Sequence, residues 1–159
     1  MSVAGAVMVP HPPLIIPEIG RGQEKRIQST IDAYHKAAQR IASWKPDTVV
    51  VLSPHTVMYA DYFHISPGKG AEGTFARFGA GQVKIRVRYD TEFVTLLSRE
   101  ARMLPAGTQG ERDKALDHGT MIPLWFLNQY TTDYMANLLL MDTMHHVLMT
   151  WYIVLWVQF

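Results

Sequence analysis

The chain has 159 residues, enough for one domain with a sizeable core, and 48% of them are apolar. Its 15 Lys and Arg against 14 Asp and Glu leave a formal net charge of +1, too small a field to draw in nucleic acid or an anionic membrane surface. The absence of cysteine excludes disulfides and thiolate metal sites and fits a reducing cytoplasm.

Val3 to Val9 predicts a first buried strand, and no basic stretch with a long apolar core marks the N-terminus as a signal peptide. A Pro- and Gly-rich loop, Pro10 to Gly22, carries His11. From Gln23 to Ser43, apolar Ile27, Ile31, Tyr34, Ala38 and Ile41 recur at helical spacing. Trp44-Lys45-Pro46-Asp47 stops that helix, and Thr48 to Leu52 is a second buried strand. Strand, helix and strand predict a βαβ unit with a parallel pair and a right-handed crossover.

Tyr62 to Ser66 predicts a short strand. Pro67 to Gly81 holds five glycines and is expected to be a loop, mobile or closing over a site. Val83 to Tyr89 alternates apolar and basic residues, as in a half-exposed antiparallel strand near an edge. Asp90 is the expected N-cap of a helix from Thr91 to Met103, with Phe93, Leu96, Leu97 and Ala101 turned inward. Asp117-His118-Gly119 forms a turn into a last helix carrying Ile122, Leu124, Trp125 and Leu127.

His11 closes the run Val7-Met8-Val9-Pro10, and His55 closes Val49-Val50-Val51-Leu52-Ser53-Pro54. Each follows a strand, so each imidazole is delivered to a strand's carboxyl end, where open α/β sheets bind ligands. His118 lies just ahead of a helix. Singly, each histidine reads more readily as a hydrogen-bonded core residue than as a ligand; jointly, three at element ends point to a shared metal site. Proline ahead of two of them narrows the loop and presets ligand geometry. His35 is expected to be solvated, and His64 to be either packed or site-lining. His145 and His146 carry little. Lys84, Arg86 and Arg88 read as a solvated, aggregation-resistant edge before they read as an anion site. Gly68 to Gly73 has GxGxxG spacing but does not open a helix, which discounts a dinucleotide fingerprint. Ser53 and Ser66 lack a nucleophile's elbow context.

The C-terminus differs in composition. No Lys or Arg follows Lys114, and from Met135 to Phe159 the only formal charge is Asp142. The apolar run Val147 to Val157 is shorter than the roughly 20 residues a membrane helix needs. A truncated or frame-shifted tail is therefore preferred to a membrane anchor. The tail shows no alternation matching a half-buried strand, so it is expected not to form a core strand.

Val9-Pro10-His11-Pro12-Pro13, Leu52-Ser53-Pro54-His55-Thr56 and Leu116-Asp117-His118-Gly119-Thr120-Met121-Ile122-Pro123-Leu124 together resemble the class III extradiol dioxygenase catalytic subunits, the LigB-like family. Pro67 to Gly70 and Phe75 to Gly81 resemble its AmmeMemoRadiSam-associated subgroup. The resemblance covers about Ser2 to Tyr134. It implies an α/β fold with three α/β/α layers and a mixed, partly parallel sheet. It also implies a non-haem Fe(II) held by two histidines and a carboxylate, with a catechol-like aromatic and O2 as substrates; Zn(II) occurs in some relatives. By motif match, His11 and His55 take the place of the metal ligands and His118 that of the acid/base histidine. The family's later Gly-Asp-x-Ser-His-like segment and carboxylate ligand are not recognisable. The expected organisation is thus 1–134, the N-terminal part of a LigB-like catalytic domain, and 135–159, an anomalous tail. Such a chain is expected to be incomplete and inactive alone.

The function implied is extradiol ring cleavage in the cytoplasm, possible homo-oligomers included, with no nucleic-acid partner. The alternatives are a non-oxygenase metal- or ligand-binding module of the AmmeMemoRadiSam system and a tail-anchored membrane-associated protein.

Overall fold

A computed structural model describes residues 3–55, 63–66, 68–100, 106–107, 115–140 and 152–158. The β-branched run 48–51, stiff at χ1 and suited to a pleated surface, forms β2 (Thr48–Leu52), with Val49 and Val51 wholly shielded from solvent. It lies within a six-stranded mixed sheet together with β1 (Val3–Pro10), β3 (Phe63–Ile65), β6 (Ala106–Gly107), β7 (Met135–Leu140) and β8 (Tyr152–Gln158). The spatial order is β1-β8-β2-β7-β3-β6. Strands β2 and β7 are parallel, as are β3 and β6; the other neighbours are antiparallel. This is an α/β fold with a mixed sheet, as the resemblance implies.

The helix predicted from Gln23 begins as a 3-10 turn over Gln23–Ile27 and becomes α2 at Gln28–Ser43, after the short α1 at Pro17–Gly20. Its inward face is the predicted one: Tyr34, Ala38 and Ile41 are buried, with Ile27 and Ile31 packed against them. Lys45, at φ 51°, turns the chain out of the helix ahead of Pro46. In α3 (Thr91–Glu100), the capping expectation holds, because Asp90 Oδ1 accepts from the Phe93 amide at 2.9 Å. Phe93, Leu96 and Leu97 are half-buried, and the predicted end of the helix, 101–103, lies outside the described residues. Helix α4 (His118–Leu127) is apolar nearly all round, as a helix enclosed on every side must be. It meets α2 where the Phe126 ring stacks on Tyr34 at 4.3 Å between centroids. Such a pair adds about 1 kcal/mol beyond the area it buries.

Three expectations are corrected. First, β1 and β2 are not neighbours: β8 lies between them, antiparallel to both, so the two strands run in one direction without pairing. Second, the glycine-rich stretch is not simply a loop. Gly70–Phe75 is β4, paired antiparallel with β5 (Ala80–Arg88) in a separate two-stranded sheet. Arg86 of β5 bridges to Glu72 of β4 at 2.7 Å, and Lys84, Arg86 and Arg88 are all exposed, the solvated edge expected. The GxGxxG spacing thus runs into a strand. Third, the tail does contribute core strands, β7 and β8. These apolar runs take interior places in the sheet, β8 between β1 and β2 and β7 between β2 and β3. Asp142, His145 and His146 lie outside the described residues. Among the described residues no helix is long and apolar enough to cross a membrane.

Candidate metal centre

Because β1 and β2 both oppose β8, their carboxyl ends lie at the same edge of the sheet: Pro10 pairs with Tyr152 and Leu52 with Val154. Strands two places apart are separated by roughly 9–10 Å, a span two side chains can close from either side. They do. His11 Nε2 and His55 Nε2 stand 2.7 Å apart, their rings meeting edge to face at 74°. His118 completes the group at the first position of α4, its ring centroid 4.3 Å from that of His55 and 5.7 Å from that of His11. One ligating nitrogen from each of the three lies within 4.8 Å of the others. His11 is buried, His118 half-buried and His55 exposed, so the cluster opens to solvent on one side.

The turn that presents His118 is fastened to the end of β2. The Asp117 carboxylate caps α4, with Oδ1 accepting from the Thr120 amide at 3.0 Å and Oδ2 from the Thr120 hydroxyl at 2.7 Å. Oδ1 also accepts from the Ser53 hydroxyl at 2.9 Å, and Ser53 Oγ in turn accepts from the His55 amide at 3.3 Å. Gly119 permits this closeness. A Cβ there would sit 2.9 Å from Asp117 Oδ1 and from His55 Cδ2, and 3.1 Å from Ser53 Oγ.

Burial lowers the His11 pKa to about 4, with His55 and His118 adding to the effect and Asp117 opposing it. Burial also lowers that of His118, assisted by His55 and again opposed by Asp117. Both are therefore neutral at pH 7, the form that ligates a metal. In the His11–His55 contact one Nε2 must carry a proton and the other offer its lone pair. With a metal bound, His11 and His55 would each give up a lone pair in place of that shared proton. Two bonds of about 2.1 Å at right angles need about 3 Å between nitrogens, so the rings would open by only a few tenths of an ångström. His11 Nδ1 is buried and has no partner among the described residues. His11 is therefore bonded only through the nitrogen it turns toward His55, and the donor set fits a divalent transition metal.

All three sequence-predicted site residues meet here. His35 does not; it pairs with the Tyr130 hydroxyl at 2.9 Å on the surface. The side chain of His64 lies outside the description. The sequence reading missed Tyr34, whose hydroxyl donates to the Pro10 carbonyl beside His11. It also missed Phe78, whose ring lies against His118 at 5.3 Å, although the glycine-rich segment had been expected to reach a site. Asp117 was read only as part of the turn into the last helix, neither as its cap nor as the link to Ser53.

A mixed α/β sheet thus carries at one edge three imidazoles that could hold a metal ion. Over residues 5–150 the chain matches the family described as the catalytic LigB subunit of aromatic ring-opening dioxygenase, and it belongs to that family. It is also similar to Protein CA_C1420 of Clostridium acetobutylicum, 33% identical over 143 residues that make up 84% of this chain and 31% of the relative. The chain thus spans about a third of that relative's length. Dioxygenases of this family are metal-dependent and act on aromatic substrates with O2, and the three histidines are the candidate site for such a metal.

Proposed function

We propose that this chain carries the metal-binding core of an extradiol-type dioxygenase that opens a catecholic ring with O2 in the cytoplasm. The observation that carries the reading is the 2.7 Å approach of His11 Nε2 to His55 Nε2 with His118 beside them. His11 and His55 are the metal ligands, and His118 is the acid/base residue. A bound Fe(II) would supply Lewis acidity toward the catechol hydroxyls and redox chemistry toward O2. The neutral His118 imidazole takes the substrate hydroxyl proton on a ring nitrogen and returns it later. Half-burial keeps it neutral and ready at pH 7. The ring of Phe78, against His118, excludes water from one side.

A second reading, a non-oxygenase metal- or ligand-binding module of the AmmeMemoRadiSam system, draws on the donor set. Among the described residues the three clustered donors are all imidazoles, a set that suits Zn(II) as well as Fe(II). Anaerobic loading with Fe(II), followed by O2 uptake over a panel of catechols, separates the two. The first reading expects catechol-dependent uptake by a full-length relative, lost with metal in His11→Ala and His55→Ala. His118→Ala should keep the metal and lose turnover. Metal binding without any uptake would favour the second reading, and metal lost in parallel with activity in His118→Ala would make His118 a ligand.

A further inference from the structure

We propose that Asp117 is the positioning residue of this centre: its carboxylate locks the His118 turn to the His55 loop and so sets the spacing of the imidazoles. The inference rests on the metal reading of the three histidines. Asp117 lies next to His118 in the chain, and its two oxygens receive three hydrogen bonds, two from Thr120 and one from Ser53. The Thr120 bonds fix the carboxylate to the first turn of α4. The Ser53 bond crosses to the end of β2, and the same Ser53 oxygen receives the His55 amide. A continuous chain of contacts therefore runs from the backbone of one histidine to the backbone of another.

An N-cap alone would need only the Thr120 contacts. The Ser53 contact does nothing for the helix; its effect is on where β2 ends relative to α4. Gly119 shows that this distance matters, since even a methyl group there would strike His55, Ser53 and Asp117 together. The Asp117 carboxylate also stands as a negative charge next in the chain to His118, which favours a divalent ion held by the imidazoles.

Co(II) is the probe, because its visible absorption reports the geometry of its ligands while its titration reports affinity. Asp117→Ala should weaken Co(II) binding by about 10- to 100-fold and alter the absorption bands, as loss of outer contacts to metal-bound histidines does. Ser53→Ala leaves the cap intact and should still weaken binding by about tenfold with a matching spectral change. Asp90→Ala removes a cap of the same kind from α3, away from the histidines, and should lower the melting temperature while leaving the Co(II) spectrum unchanged. Folded Asp117→Ala or Ser53→Ala chains with wild-type affinity and spectrum would overturn the inference and leave the metal reading standing. Where Asp117→Ala does not fold, Ser53→Ala alone decides. A wild-type chain that takes up no Co(II) would overturn both. Co(II) binding by the wild type without dioxygenase activity from the Fe(II) form would remove only the oxygenase reading.

Discussion

The Tyr34 hydroxyl donates a hydrogen bond to the carbonyl of Pro10, so α2 holds the residue directly ahead of His11. Tyr34 is almost fully buried, and burial raises its pKa, so the phenol remains a donor across the physiological range. Tyr34→Phe keeps the ring stacked on Phe126 but removes a partner of the Pro10 carbonyl. The expected cost is about 1–2 kcal/mol of stability, read from a denaturant midpoint. Co(II) affinity should fall as well. A midpoint loss with unchanged affinity would mean that the bond supports the fold and not the ligand.

Gly119→Ala tests how tightly the loops close over the centre. The added methyl has to displace the His55 ring or the Asp117 carboxylate, both 2.9 Å away. Overpacking of this kind costs about 1–3 kcal/mol. Metal affinity should suffer more than it does in Tyr34→Phe, because His55 itself moves. An alanine variant with wild-type melting and metal uptake would show that the turn has slack.

Stability should fall on acidification between pH 6.5 and about 4. The folded His11 pKa is depressed to about 4 from an unfolded value near 6.5, so in that window the unfolded chain binds the extra proton. The contribution is full above pH 6.5 and is lost as pH falls through the folded pKa; His118 adds to it in the same direction. Denaturant midpoints at pH 7, 5.5 and 4.5 in the metal-free chain measure the slope. His11→Asn, which cannot titrate, should flatten it, and an unchanged slope would place the acid sensitivity elsewhere.

Phe78→Ala should raise the His118 pKa toward its ordinary value. Burial is the leading cause of the depression, and the Phe78 ring lies against His118. Proton NMR titration of the His118 ring, against His35 as a surface reference, follows the change. A pKa that does not move would mean that α4 and its neighbours, not the β4–β5 turn, desolvate the imidazole.

Local order was legible from the residues alone. The inward face of α2, the cap at Asp90, the alternation of β5 and the buried run of β2 follow from periods of 3.6 and 2 and from capping chemistry, which act within a few residues. The three site histidines were legible for the same reason: each closes or opens an element, and element ends are what a sequence marks best. The three motifs in order also carried the family.

Tertiary structure decided what those ends meet. No local period says that β8 separates β1 from β2, because strand order depends on pairing between residues more than a hundred positions apart. The apolar tail could be read as strand, helix or anomaly until β1, β2 and β3 stood beside it to pair. Glycines that suggested a loop became part of β4 once Arg88 stood opposite Gly70 and Ile85 opposite Gly73. The link from Asp117 to Ser53 joins residues 64 apart, so capping chemistry could foresee only the Thr120 half of it. Sequence determined which groups are presented at the sheet edge; long-range pairing and packing determined that three of them share one point.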